Sequence, residues 1–489
     1  MDSLFGSMLA RPLLTAEDRS ALESLRAALE ETDYSEEAVR PLLGSTDIAL
    51  RRHEEVPGYL ARCEEAGTLG VWTALWLLWE PVPRARLEGL LGAQAVERLI
   101  ALRLLRADGG HLRAEADLYP CQGSYLLTDH KFTHQRFPNH VYELGKDSYV
   151  LARVTPRQRV GRALDLCTGS GVHAILACGH ARESWGVDLN PRALDFCRLN
   201  SALNGLEERC SFERGDLYQP AGSRTFELIT ANPPFLPTPE QDMELYRPGG
   251  ETGEEITERI VRGLTDHLSV GGVLSLFTNY PVVRSSHVLD RMQAWLGGGK
   301  GWGLAVLDFG WIRPETFVTL HLSPTASEYS KRFRAWLDSY RRLGIDGVMA
   351  GNLFVRRLPP DRPGWRIQKL VPFPERSIHP RVERWLDAAE TYLDPAWEPD
   401  WEEWIPRLHE EVGLWVEPRQ GDARTTFPDP WPEETLNPEE TELALQLSSG
   451  LTAQRLACAW AEEKGLPRDA ARPRLAKLFR QLGRKMVLS

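Results

Sequence analysis

Hydrophobic positions along this chain change their spacing twice, and the changes divide it into zones. Up to about residue 116 the spacing is helical. Residues 16–29 place apolar side chains three and four apart, and Ser35-Glu36-Glu37 forms a helix start ahead of Val39 and Leu42-Leu43. Residues 69–79 are apolar almost throughout, which predicts a buried helix, and residues 84–91 and 93–104 add two more. Residues 104–113 then read as a hairpin that turns at Asp108-Gly109-Gly110. Helices followed by a small hairpin predict a helical, winged-helix-like domain over residues 1–117, serving either to dock a substrate or nucleic acid or as a structural cap.

From residue 163 short apolar runs alternate with helical segments, the pattern of a doubly wound α/β fold. Residues 163–166, 185–188, 210–213 and 227–231 are the first four strands and 273–278 the fifth, with 304–309 and 317–322 as a final pair. Ahead of them, residues 141–149 form a segment suited to lie over a ligand, with Ser148 and Tyr149 as contacts, or else a packed linker. Residues 331–343 carry Phe333, Trp336, Leu337 and Tyr340 on one helical face, and an apolar run at 348–355 follows. Together they predict an appended α/β segment packed on the sheet edge.

The last zone reverses its charge midway. Residues 387–440 are acidic and rich in proline and tryptophan, and the tryptophans argue for a segment folded against the body rather than a disordered tail. Residues 450–489 hold nine Lys/Arg against three acids. Three helical patterns, at residues 443–445, 451–460 and 475–482 and separated by Gly450 and Gly465-Leu466-Pro467, resemble a helix-turn-helix module with a basic last helix. A charge run is equally the mark of a solvated face. The expected organisation is therefore 1–117, 118–325, 326–435 and 436–489, the last a basic helical module.

Composition narrows the class. The chain has 489 residues, 42% hydrophobic and 26% charged, as in an ordinary soluble protein of about two to four domains. A net charge of −11 gives no global attraction to nucleic acid and leaves only a local patch. Seven scattered cysteines without a C-x-x-C pair indicate neither a metal site nor a disulfide framework. The N-terminus lacks a basic region followed by an apolar one, and no apolar run is long enough for a bilayer. A cytoplasmic protein with no membrane partner is expected.

The candidate chemistry lies between residues 163 and 235. ALDLCTGSGVHAILA reads as a strand bent by Gly169-Ser170-Gly171 into a helix, leaving free N–H groups at the helix start. Trp185-Gly186-Val187-Asp188 ends a second strand in an acid, placed to accept both hydroxyls of a ribose. Gly215-Asp216-Leu217 follows the third strand, with Asp216 placed to meet an adenine amino group. Asn232-Pro233-Pro234-Phe235 stands at the carboxyl end of the fourth. Ligands of open α/β sheets bind at those strand ends, so the four features converge on one crevice.

This ordered set resembles the class I S-adenosylmethionine-dependent methyltransferases, and NPPF resembles their N-methylating branch, the HemK-like or methyltransferase small domain group. The resemblance covers roughly residues 142–322. It implies a seven-stranded Rossmann-like sheet with an antiparallel last strand, and S-adenosylmethionine as cofactor. It implies cofactor contacts at Asp165, Cys167, Thr168, Gly169, Gly171, Asp188, Leu189, Asn190, Asp216, Leu217 and Asn232, and catalytic positions at Asn232, Pro233, Pro234 and Phe235. Cys167 replaces the first glycine of the family's D-x-G-x-G-x-G, a small residue that still permits the turn. Residues 246–253 resemble the glycine-rich segment that follows NPPY in HemK-type enzymes.

The chemistry explains the motif. An amide or nucleobase amine has a delocalised lone pair and is a poor nucleophile. The Asn232 side-chain oxygen and the Pro233 carbonyl can hold its two hydrogens and favour a localised lone pair. Prolines stiffen the loop, and Phe235 offers a face for a planar group. The expected function is N-methylation of a macromolecule at the exocyclic amine of a base in RNA or DNA. A protein glutamine amide is the alternative, and a non-catalytic cofactor-binding scaffold or partner subunit is the alternative of another class.

Overall fold

The computed structural model of the chain describes residues 14–45, 47–131, 139–240, 249–322, 328–416, 423–427 and 431–488. Its centre is an eight-stranded sheet. In chain order the strands are β1 (Val160–Leu166), β2 (Ala181–Asp188), β3 (Cys210–Arg214), β4 (Phe226–Ala231), β5 (Leu268–Val283), β6 (Trp302–Ile312), β7 (Ile345–Arg357) and β8 (Trp365–Leu370). Their spatial order is β8-β6-β7-β5-β4-β1-β2-β3, and β7 alone runs antiparallel to its neighbours.

Alternation along each strand explains why these runs are apolar on both sides. In β1 Ala163 faces one layer and Leu164 the other, and in β4 Leu228 and Ile229 divide in the same way. One layer contains helix α1 (Lys146–Val154) and the helix His379–Tyr392. The other contains helix α4 (Glu255–His267) and the helix Val288–Trp295. Helices α2 (Val172–Ala177) and α3 (Pro191–Leu203) pack against the N-terminal helices, sharing one core through Leu22, Leu25, Phe196, Leu199 and Leu203. Pro191 opens α3, where its missing N–H costs nothing, and the Asn190 side chain caps it by accepting from Arg192 N at 3.0 Å.

Residues 317–322 belong not to a strand but largely to the helix Pro314–His321, started by a proline at its first position. That helix turns Phe317 and Val318 into a separate small cluster with Trp336 and Tyr340. The antiparallel strand is β7, built from the apolar run assigned to an appended segment, and β8 adds a strand beyond the seven expected. The sheet thus continues to Leu370, past residue 325. Periodicity does not separate a short buried strand from a short helix, and here proline decides.

The N-terminal unit holds the expected hairpin, Leu105–Asp108 with His111–Ala114, completed by Val82–Pro83 as a third strand. A second hairpin, Asp117–Cys121 with Ser124–Thr128, is clasped by α3. Asn200 Oδ1 accepts from Leu127 N at 2.7 Å, and Asn204 Oδ1 accepts from Tyr125 N at 2.9 Å. At the C-terminus the helices Pro438–Gln446, Ala453–Lys464 and Arg468–Arg484 match the three patterns. Five of their cations are engaged locally. Lys464 pairs with Glu442, Lys485 with Glu440 and Arg474 with Glu439, while Arg480 and Arg484 donate to the carbonyls of Trp397 and Tyr392. Among the described residues no helix is long and apolar enough to cross a membrane.

The buried Arg51–Asp117 ion pair anchors the second hairpin. Burial alone would raise the Asp117 pKa, but Arg51, His130 and the Trp79 indole outweigh it and hold it at about 2. Removing one partner of such a pair leaves an uncompensated buried charge, so Arg51→Met should cost about 3–5 kcal/mol in urea unfolding. Because the Asp117 pKa is depressed, its stabilisation is complete above the unfolded carboxylate value. It should be lost as pH falls through about 2, an acid-side decline that Asp117→Asn removes.

Candidate active site

The turn after β1 is assembled from residues in unusual backbone states. Cys167, Gly169 and Gly171 have φ of +54°, +54° and +85°. A Cβ on Gly171 would lie 3.1 Å from Cys197 Sγ and 3.2 Å from the Phe212 ring, so both space and φ require glycine there. Asp165 braces the turn from behind: it accepts from Thr168 Oγ1 at 2.5 Å and from Thr230 Oγ1 at 2.8 Å. Burial pushes its pKa up to about 7.

So folded, the turn points the Gly169 N–H at Asp188 Oδ2 (2.9 Å), while Asn190 N–H donates to Oδ1 (2.9 Å). Burial raises the Asp188 pKa, and the backbone donors at Asn190, Gly169 and Leu189 oppose the rise. Each oxygen keeps acceptor capacity for a further donor.

A cavity of about 530 Å³ opens at the carboxyl ends of β1, β2, β3 and β4. Its wall includes Cys167, Thr168 and Gly169 from the first turn, then Asp188, Leu189 and Asn190 from the second. Asp216 and Leu217 follow β3, and Asn232, Pro233, Pro234 and Phe235 follow β4. Asp165 and Gly171 are not on the wall; one braces the turn and the other lets it close. Asp216 Oδ2 accepts from Arg259 of α4 at 2.7 Å, and Arg259 is itself a wall residue that the sequence did not single out.

The fourth strand end carries the most specific arrangement. Asn232 Nδ2 donates to Asp147 Oδ2 at 2.7 Å and to Ser148 Oγ at 3.4 Å, while its buried Oδ1 accepts nothing among the described residues. Both partners stand in the first turn of α1. The segment expected over the ligand does contribute Val141, Tyr142, Glu143 and Leu144 to the wall, next to His140. Tyr149 faces elsewhere: it is buried and its hydroxyl donates to the Pro120 carbonyl at 2.9 Å. Asp147 was missed because a lone acid at a helix start reads as a dipole partner.

Phe235 rests edge-on against Phe277, with ring centres 5.8 Å apart, and Phe277 leads on to Phe309 and Phe373. The following loop returns over this backbone. A Cβ on Gly249 would lie 2.8 Å from Phe235 Cα, and one on Gly253 would lie 2.6 Å from the Phe235 carbonyl oxygen. Tyr246, Arg247 and Pro248 lie outside the described residues. His173 is a wall residue on the otherwise apolar α2, kept neutral by burial, which lowers its pKa to about 3.

Comparison with known proteins bears on this site. A model of the methyltransferase small domain matches residues 141–294, and a model described as a domain of unknown function (DUF7059) matches residues 31–115. The chain is similar to a ribosomal protein uL3 glutamine methyltransferase of Bradyrhizobium diazoefficiens, 37% identical over 126 residues, 24% of this chain and 40% of that protein. Its likeness to the Bordetella pertussis protein of the same name is 30% over 225 residues, 44% of this chain and 68% of the relative. A release factor glutamine methyltransferase of Thermodesulfovibrio yellowstonii is 31% identical over 144 residues, 26% of this chain and 51% of that protein. The chain thus spans between 40% and 68% of the length of these relatives. Over two thirds of the Bordetella protein are matched, and the segment 141–294 carries most of the cavity wall, so the chain belongs to the methyltransferase small domain family.

Proposed function

We propose that this chain is an S-adenosylmethionine-dependent N-methyltransferase whose acceptor is the side-chain amide of a glutamine in a protein. The observation that carries the reading is Asn232: its Nδ2 is committed to Asp147, its Oδ1 has no donor among the described residues, and it shares one cavity with Asp188.

The wall fits the cofactor. Asp188 has acceptor capacity on both oxygens for ribose hydroxyls, and Asp216 has it for an adenine amino group. Beyond its chain neighbours, Gly169 has no atom of the described residues within 4 Å of where a Cβ would stand, so a side chain there would take up open space beside the wall. When bound, the cofactor supplies a methyl group on a cationic sulfur. The chain's own part is to hold the acceptor. Asn232 Oδ1 and the Pro233 carbonyl take the two hydrogens of the amide nitrogen and favour the positive charge that develops on it. The two prolines keep those acceptors in place before the substrate arrives. Phe235, backed by Phe277, gives the planar amide a face.

A protein amide is preferred over the nucleobase amine that the sequence favoured. The relatives named above are glutamine methyltransferases, and this chain's C-terminal cations are largely engaged by its own acids and carbonyls.

Asp188→Ala should weaken S-adenosylmethionine binding by about 1.5–3 kcal/mol, the scale of a hydrogen bond to a charged group, in calorimetric titration of the folded variant. Asn232→Ala should lower turnover by about 10²–10³ and leave cofactor affinity nearly unchanged, because its contact serves the reacting nitrogen. The assay is methyl transfer from labelled cofactor to separated protein and RNA fractions of a cell extract. Label in the protein fraction, recovered as methylated glutamine, is expected. Label confined to RNA would overturn the amide reading.

A further inference from the structure

If Asn232 makes the reacting contact, something must aim its amide. An asparagine amide is nearly symmetric in shape, and a half-turn about its last torsion exchanges Oδ1 with Nδ2. Oriented the wrong way, it would present two N–H groups to a nitrogen that itself carries two.

Asp147 breaks that symmetry. An ionised carboxylate only accepts hydrogen bonds, so at 2.7 Å it tolerates Nδ2 and repels Oδ1. The contact is built in rather than incidental. Asp147 Oδ1 also accepts from the Tyr142 hydroxyl at 3.3 Å. Gly145 leaves room for that pair, since a Cβ there would stand 2.2 Å from the Tyr142 oxygen and 2.3 Å from Asp147 Oδ1. The helix beneath is fixed by Tyr149 on the Pro120 carbonyl and by Arg153 on Glu36 and the Pro374 carbonyl.

We propose that Asp147 is a positioning residue of the transfer reaction: its carboxylate holds the Asn232 amide in the one orientation that leaves Oδ1 to the acceptor nitrogen. The hydrogen bond from Nδ2 to an anion also polarises the amide and makes Oδ1 a stronger acceptor as the nitrogen turns cationic. The proposal rests on the N-methyltransferase reading above.

Proton binding provides an independent readout. The groups that face Asp147 are the Asn232 amide, the Tyr142 hydroxyl, the Glu143 carboxyl and the N–H groups of Asp147 and Ser148. Burial raises the Asp147 pKa from its ordinary value, and the Asn232 hydrogen bond opposes the rise. Above that pKa the carboxylate accepts from Nδ2. Below it the carboxylic acid can donate to Oδ1 instead, and the orientation is lost.

The test uses the full chain, tritiated-methyl S-adenosylmethionine and protein extracted from cells lacking the enzyme. Asp147→Asn keeps the size and removes the acceptor-only character. It should lower kcat by about 10- to 100-fold, part of the loss on deleting a transition-state contact outright. The acceptor KM and the cofactor affinity should change by less than about threefold, as expected for a contact made in the transition state. The acid limb of the wild-type kcat profile should disappear in the variant, and Asp147→Asn should add no further loss to Asn232→Ala. Wild-type kcat in Asp147→Asn, an equal additional loss in the Asn232→Ala background, or a loss confined to cofactor affinity each overturns the proposal. If Asn232→Ala is itself fully active, the N-methylation reading falls as well; if only Asp147→Asn is innocuous, the positioning role alone falls.

Discussion

Helix α1 is nine residues long, and the geometry of the site depends on how it is tied down. Its first turn holds Asn232 through Asp147, its middle reaches the Pro120 carbonyl through Tyr149, and its last turn binds Glu36 and the Pro374 carbonyl through Arg153. The chain closes the clamp by returning the Ile378 N–H to the Arg153 carbonyl at 2.9 Å. So short a helix has little stability of its own. What fixes it is burial, since every residue from Ser148 to Val154 is buried, together with charge-assisted bonds to segments distant in sequence. The N-terminal unit and the segment after β8 are thereby mechanical supports of Asn232, although neither contributes to NPPF.

The same logic explains the charge pattern of the C-terminal third. A basic helix beside an acidic, tryptophan-rich stretch looks like two independent binding surfaces when each is read alone. Folded together they satisfy one another. Glu439, Glu440 and Glu442 meet Arg474, Lys485 and Lys464, and Trp397, Trp404 and Phe479 make an aromatic seam between them. Exposed pairs of this kind contribute little stability one by one. Their consequence is that less positive charge remains for phosphate, which bears directly on the choice of acceptor.

The glycine turn shows how a local motif acts at a distance. Asp165, the motif's first residue, does not reach the cavity. It holds Thr168 and Thr230, which join β1 to β4, and so sets the height at which Cys167 and Gly169 meet Asp188. Cys167 takes the left-handed conformation that glycine would supply, at a cost of order 1 kcal/mol. The stiff bracing around it offsets that cost.

By itself the sequence determined the alternation of strands and helices from residue 160 to 283, the convergence of Asp188, Asp216 and Asn232 on one crevice, and the three C-terminal helices. These are local facts, carried by hydrophobic period, by glycine and proline, and by the rule that ligands bind at strand carboxyl ends. Tertiary structure alone decided the rest. Residues 345–357 are the antiparallel strand because a hydrogen-bonding slot stood open between β5 and β6, and no residue in the run announces which slot it fills. Whether the cations of residues 450–489 face solvent or the chain's own acids and carbonyls depended on partners up to 92 positions away. The pairing of Asp147 with Asn232 spans 85 positions. Side-chain hydrogen bonds between distant elements leave no periodic trace in the sequence, so only the fold could bring the orienting carboxylate to the asparagine it orients.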